Sequence, residues 1–125
     1  MIIGVQDVYY NVQNMDRAVA FYRDVLGLKV QYQNEYWTSL EVGGVQVGLH
    51  WTEGGPVPHI PRDSHGAHAG ATQTLKTNSL NEDEKFLKSK NVKALGRINA
   101  EWGNLFIFED PDGNVLKLMQ ASKPT

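Results

Sequence analysis

Asn14-Met15-Asp16-Arg17-Ala18-Val19-Ala20-Phe21-Tyr22-Arg23-Asp24-Val25-Leu26-Gly27 returns in pattern 64 residues later as Asn78-Ser79-Leu80-Asn81-Glu82-Asp83-Glu84-Lys85-Phe86-Leu87-Lys88-Ser89-Lys90-Asn91. In the first copy Ala18, Val19, Phe21, Tyr22, Val25 and Leu26 recur at the 3.6-residue period of an amphipathic helix. Asn14 suits the N-cap, where its side-chain oxygen accepts from free helical amides. Gly27 suits the left-handed residue that ends a helix, and Asn91 tolerates the same geometry. Each copy follows a short alternating stretch, Gln6 to Val12 and Thr72 to Thr77. The chain therefore reads as one strand–helix unit written twice.

Three further strands follow each helix. In the first half they are Leu28 to Gln33, Trp37 to Val42 and Val45 to Trp51, the last two joined by Gly43-Gly44, a two-residue hairpin signal. In the second half they lie near Val92 to Arg97, at Leu105 to Phe108 and at Asn114 to Met119, with Asp110-Pro111-Asp112-Gly113 as the turn. That turn lacks the remaining ligands of a calcium loop. Setting Gly44 level with Gly113 pairs Val47-Gly48-Leu49 with Leu116-Lys117-Leu118. The outer residues of each triplet then face a helix, and the middle one faces the opposite side.

The expected fold is α+β, two tandem β-α-β-β-β modules with mixed sheets. One domain over 1–125 is expected, with module 1 at about 1–52, a linker at about 53–69 and module 2 at about 70–121. The stretch 52–68 holds Gly54-Gly55, three prolines and three of the four histidines, so it reads as a linker or mobile loop. His59, His65 and His68 there read as solvated loop histidines.

Asp16 to Gly27 resembles the signature helix of the vicinal oxygen chelate superfamily, which includes glyoxalase I, the bleomycin-resistance proteins and the extradiol dioxygenases. Phe108 to Leu118 is similar to that family's closing hairpin. The resemblance implies two such modules around a cavity, usually completed by a homodimer. It also implies metal ligands on the first and last strand of each module, positions that fall on Asp7, Gly48, Thr72 (or Ala71) and Lys117. Of these only Asp7 is a credible ligand: glycine has no side chain, threonine is a weak neutral donor, and a lysine ammonium has no lone pair. No metal ligands and no cofactor are therefore expected, a divalent metal being the less favoured alternative.

Asp7, Tyr9, Trp37, His50, Trp102 and Lys117 are the expected ligand-binding residues, and no catalytic residue is assigned. His50 follows Gly48 by two and shares its face. Flat aromatic walls bind planar or cationic ligands by stacking and cation–π contact. Trp102 sits in a polar loop where a large ring has no evident core duty.

With 125 residues, 41% apolar content and a net charge of −2, the chain can bury a core but has no basic stripe for nucleic acid. There is no cysteine, hence no disulfide framework or thiolate chemistry. No basic leader and no apolar run near ~18 residues is present, so no membrane partner and a cytoplasmic location are expected. The expected function is capture of a small organic molecule without a metal, of the drug-sequestering, antibiotic-resistance kind, binding rather than catalysis. The alternative is a metal-dependent lyase, isomerase or dioxygenase of the same superfamily, its metal site rearranged around Asp7 and His50.

Overall fold

The computed structural model describes residues 1–122, and the chain falls into two compact units, Met1–Pro58 and His59 onward. In the first unit the elements are β1 (Val8–Val12), α1 (Met15–Ala20), a π-helical turn (Phe21–Val25), β2 (Lys29–Gln33), β3 (Trp37–Val42) and β4 (Val45–Trp51). In the second they are β5 (Arg62–Asp63), β6 (Gly66–Ala67), β7 (Gln73–Lys76), α2 (Leu80–Ser89), β8 (Ala94–Ala100), β9 (Gly103–Glu109) and β10 (Val115–Ala121).

The two main sheets have the same topology. One runs β1-β4-β3-β2 and the other β7-β10-β9-β8, each with one parallel pair at the edge and antiparallel pairs beyond it. The repetition reaches local irregularities. The ladder slips between Val30 and Tyr32 in one sheet and between Ala94 and Gly96 in the other. Gly27 and Asn91 end the helical segments at φ +79 and +61, and Gly44 and Gly113 take φ +84 and +82 in the matching turns. The mixed sheets with their two helical segments are those that the repeated sequence unit implies.

Each sheet buries one face under its own helix. Val12, Leu40, Val47 and Leu49 pack with Ala18, Val19 and Tyr22 in the first unit, and Phe106, Phe108 and Leu116 with Leu80 and Leu87 in the second. At about 25 cal/mol per Å2 of apolar surface, such burial is what holds each helix to its sheet. Gly48 and Lys117 point the other way, each flanked by two helix-facing neighbours, as strand parity requires.

Three details depart from the sequence reading. The first helix does not run in α-form to Leu26: it widens after Ala20 into a π turn, and Leu26 N–H donates to the Phe21 carbonyl at 3.0 Å. Apolar spacing cannot tell an α turn from a single π turn. Asn14 does cap α1, its Oδ1 accepting from Arg17 N–H at 3.0 Å. In the second copy the start of α2 is met instead by Gln120, whose Oε1 accepts from Leu80 N–H at 3.0 Å.

The third departure is the stretch after residue 58. It forms the β5–β6 hairpin, which belongs to the second unit, where Ala67 packs on Leu105, Ile107 and Val115. Arg62 pairs with the buried Glu109 carboxylate and donates to the Gly113 carbonyl. Asp63 sits below the usual carboxylate range because His65 N–H, then the His68 ring, donate to it. His65 and His68 themselves stay exposed.

Helix α2 is tied to β8 by Glu84, which lies 3.0 Å from Arg97 and 3.2 Å from Lys88. Burial alone disfavours its charge, but the hydrogen bonds from Arg97 and Lys88 outweigh that and hold its pKa below the ordinary value. A depressed folded-state pKa stabilises above the unfolded-state pKa and is lost as pH falls through the folded one. Glu84→Gln is expected to lower unfolding free energy by on the order of 1 kcal/mol at pH 7, a loss that shrinks as pH falls through the folded-state pKa. Urea titrations across the acid range check this.

Candidate functional site

The face of the first sheet away from α1 carries Tyr9 and Asn11 from β1, Trp37 and Ser39 from β3, and Gly48 and His50 from β4. Register puts Tyr9 opposite Gly48, Asn11 opposite His50, and Trp37 opposite His50 on the other side. Three of the expected ligand-binding residues thus meet. Tyr9 lies edge-on to Trp37 at 5.6 Å between ring centroids and edge-on to His50 at 5.8 Å.

Gly48 makes that meeting possible. A Cβ on it would stand 2.2 Å from Trp37 Cη2 and 3.0 Å from Tyr9 Cβ, so the indole lies directly on bare backbone. Gly48 itself has ordinary strand geometry, and its lack of a side chain serves the ring and not the turn of the chain. His50 is exposed, and its Nδ1 lies 3.3 Å from Asn11 Oδ1. With the Asn11 oxygen as acceptor, Nδ1 of the neutral ring carries the hydrogen and Nε2 is left as an acceptor. Asn11 is a site residue that the sequence reading missed, although its parity with Tyr9 was readable.

The other expected residues are placed elsewhere. Asp7 lies just before β1, beside the Gly44–Gln46 end of β4. It is four residues from Asn11, the partner of His50, or ~13 Å along a strand. Asp7 and His50 thus lie toward opposite ends of the β1–β4 pair. Lys117 and Trp102 belong to the second unit. Trp102 is exposed at the β8–β9 turn, next to Gly103, which pairs with Ala121, four residues beyond Lys117. The first unit also has an open cleft of about 730 Å3 between the start of α1 and the β2–β3 turn, lined by Asp16, Gln33, Glu35 and Trp51 among others. None of the expected ligand-binding residues reaches it.

Among the described residues no three His, Asp or Glu side chains come together as a metal cage. Trp37 covers Gly48, and Lys117 offers a cation. Each of these two positions, taken in its own sheet, therefore lacks a metal-donating lone pair.

Residues 4–118 match the profile of the Glyoxalase/Bleomycin resistance protein/Dioxygenase superfamily. A metallothiol transferase FosB of Staphylococcus haemolyticus is 28% identical over 125 residues, covering 98% of this chain and 86% of that protein. Among solved structures, a glyoxylase/bleomycin resistance protein/dioxygenase domain from Frankia sp. EAN1pec superposes with TM-score 0.77 at 17% identity, covering 100% of this chain and 96% of that one. The fosfomycin resistance protein FosX of Listeria monocytogenes gives TM-score 0.74 at 13% identity, with 98% and 96% covered. The expectation that no cofactor takes part is corrected by the first of these relatives, whose name places a metal in its chemistry. Among the described residues no helix is long and apolar enough to cross a membrane, which leaves β-barrels unaddressed.

Proposed function

The chain belongs to the glyoxalase/bleomycin resistance protein/dioxygenase superfamily, and from that membership we propose that it takes up a small organic molecule on the open face of its first sheet. One observation carries the reading: the six-membered ring of Trp37 rests on Gly48 through its Cζ2–Cη2 edge, with Tyr9 edge-on beside it. A ring held in place on backbone presents a rigid apolar wall, and a planar ligand stacks on it with little loss of side-chain freedom. His50 Nε2 supplies a hydrogen-bond acceptor at the edge of that wall, and Ser39 a hydroxyl.

Titration with fosfomycin and a panel of planar aromatic antibiotics tests this by following the three indole N–H resonances. The Trp37 resonance, assigned by Trp37→Phe, is expected to shift saturably while Trp51 and Trp102 stay still. Tyr9→Ala should weaken binding about tenfold, the size of a lost aromatic contact plus its buried area. A Trp37 resonance indifferent to the whole panel would refute the reading.

A second reading follows the staphylococcal relatives, since the match covers 98% of the chain. It is transferase chemistry of the metallothiol kind, with a divalent metal taking part. Incubating the protein with fosfomycin and a low-molecular-weight thiol, with and without added divalent metal, reads it directly. Metal-dependent loss of free thiol supports transfer, and unchanged thiol supports capture.

A further inference from the structure

The face of the second sheet away from α2 carries a cation with no counter-charge. Lys117 is central on β10, between Thr74 of β7 and Ile107 of β9. Its ammonium reaches beneath the tip of the β5–β6 hairpin. A Cβ on Gly66 would stand 2.8 Å from Lys117 Cε and 3.2 Å from Nζ, at a φ of +120 that already favours glycine. The neighbouring Ser64 carbonyl oxygen lies where a Cβ on Gly96 of β8 would come within 2.2 Å. Two glycines therefore let the hairpin sit down on the sheet, and Arg62 holds it there through Glu109.

Lys117 is only partly exposed, and among the described residues it makes no hydrogen bond or ion pair. Acids of the same unit are engaged elsewhere: Glu109 by Arg62 and Lys93, Asp63 by His68, Glu84 by Arg97 and Lys88. Asp110 accepts from Asp112 and Asn114 within its own turn. A partly desolvated ammonium beside Ile107 is unfavourable without an opposite charge. The Thr74 hydroxyl, directly across the ladder and exposed, adds a neutral donor on the same face.

We propose that Lys117, roofed by Gly66 and flanked by Thr74, is a binding point for a small oxyanion, a carboxylate or a phosphate-type group carried by a ligand. This goes beyond the reading of the first sheet and does not depend on it.

The test uses the full chain, 15N-labelled, titrated with inorganic phosphate and separately with acetate at constant ionic strength held by chloride. The Gly66, Thr74 and Lys117 amides are expected to shift saturably with one of the two, which tells a tetrahedral from a planar oxyanion. Lys117→Met should weaken binding at least about tenfold, as loss of a charged hydrogen-bond donor does, and Lys117→Arg should retain it. Thr74→Val should weaken it about threefold, and it serves as the second readout where Lys117→Met loses amide dispersion. Linear, non-saturating shifts spread over the exposed Lys76, Lys85 and Lys90 would mean adventitious ion association only and would overturn the site. So would full affinity in a folded Lys117→Met chain.

Discussion

Arg62→Met is expected to destabilise the chain by about 3 kcal/mol, toward the lower end of the cost of removing one partner from a buried ion pair. The side chains of Arg62 and Glu109 are 9% and 8% exposed, and Arg62 also serves the Gly113 carbonyl. Removing the guanidinium leaves the carboxylate inside with one remaining cation. That cation, Lys93, reaches the other oxygen at 3.1 Å as a charge contact without hydrogen-bond geometry, and its own side chain is 73% exposed. It softens the loss without abolishing it. Lys93→Ala alone should therefore cost under about 1 kcal/mol, in the range of an exposed pair. Glu109→Gln added to Arg62→Met should recover much of the stability, because it removes the charge left behind. Urea unfolding of the four chains decides the matter. A loss under about 1 kcal/mol in Arg62→Met, the size of an exposed pair, would show that the hairpin is not held by this contact.

The same contact explains where the sequence was legible and where it was not. Positions governed by local rules were readable: the capping Asn14, the left-handed ends at Gly27 and Asn91, the tight turns at Gly44 and Gly113, the alternation that turns Gly48 and Lys117 away from their helices. Each depends on a few neighbouring residues and on a fixed period. The hairpin at 62–67 depends on Arg62 finding Glu109, 47 residues away, on Gly96, which lets the Ser64 backbone approach, and on Gly66, which leaves room for the Lys117 side chain. In the sequence those residues are only part of a Gly/Pro-rich run and a strand interior, so a linker is the natural reading. The aromatic cluster was half readable. Parity alone puts Tyr9 and His50 on one face, but the resting of Trp37 on Gly48 needs the β3–β4 register. The π turn after Ala20 leaves no mark, since one extra residue per turn over a single turn barely shifts the apolar spacing. The metal question escapes the sequence for a different reason. Ligand positions taken one at a time argue against a metal, whereas the metallothiol relatives match along the whole chain.

Gly48→Ala should separate the candidate site from the fold more sharply than any truncation of the aromatic residues. Gly48 sits mid-strand between Val47 and Leu49, both fully buried, and its backbone is open to any residue. Alanine there reduces the freedom of the unfolded chain, an effect worth about 0.4–1 kcal/mol in favour of folding where the conformation fits. The new methyl, however, would overlap the Trp37 ring at 2.2 Å and press on Tyr9 Cβ at 3.0 Å. The indole is the far end of a side chain, so it swings away while the strand stays in place. Unfolding free energy is then expected to change by less than about 1 kcal/mol in either direction, the entropy gain offsetting lost ring contacts. Ligand affinity should fall by about tenfold or more, because a wall that must be rebuilt on binding loses its preorganisation, and about 1.4 kcal/mol already equals a factor of ten. Trp37 emission should move to longer wavelength as the indole leaves the backbone for solvent. A Gly48→Ala chain that binds as tightly as the parent, with its Trp37 resonance unmoved, would place the recognised molecule away from this face. Retained stability with lost binding is the outcome that the packing of Trp37 on Gly48 requires.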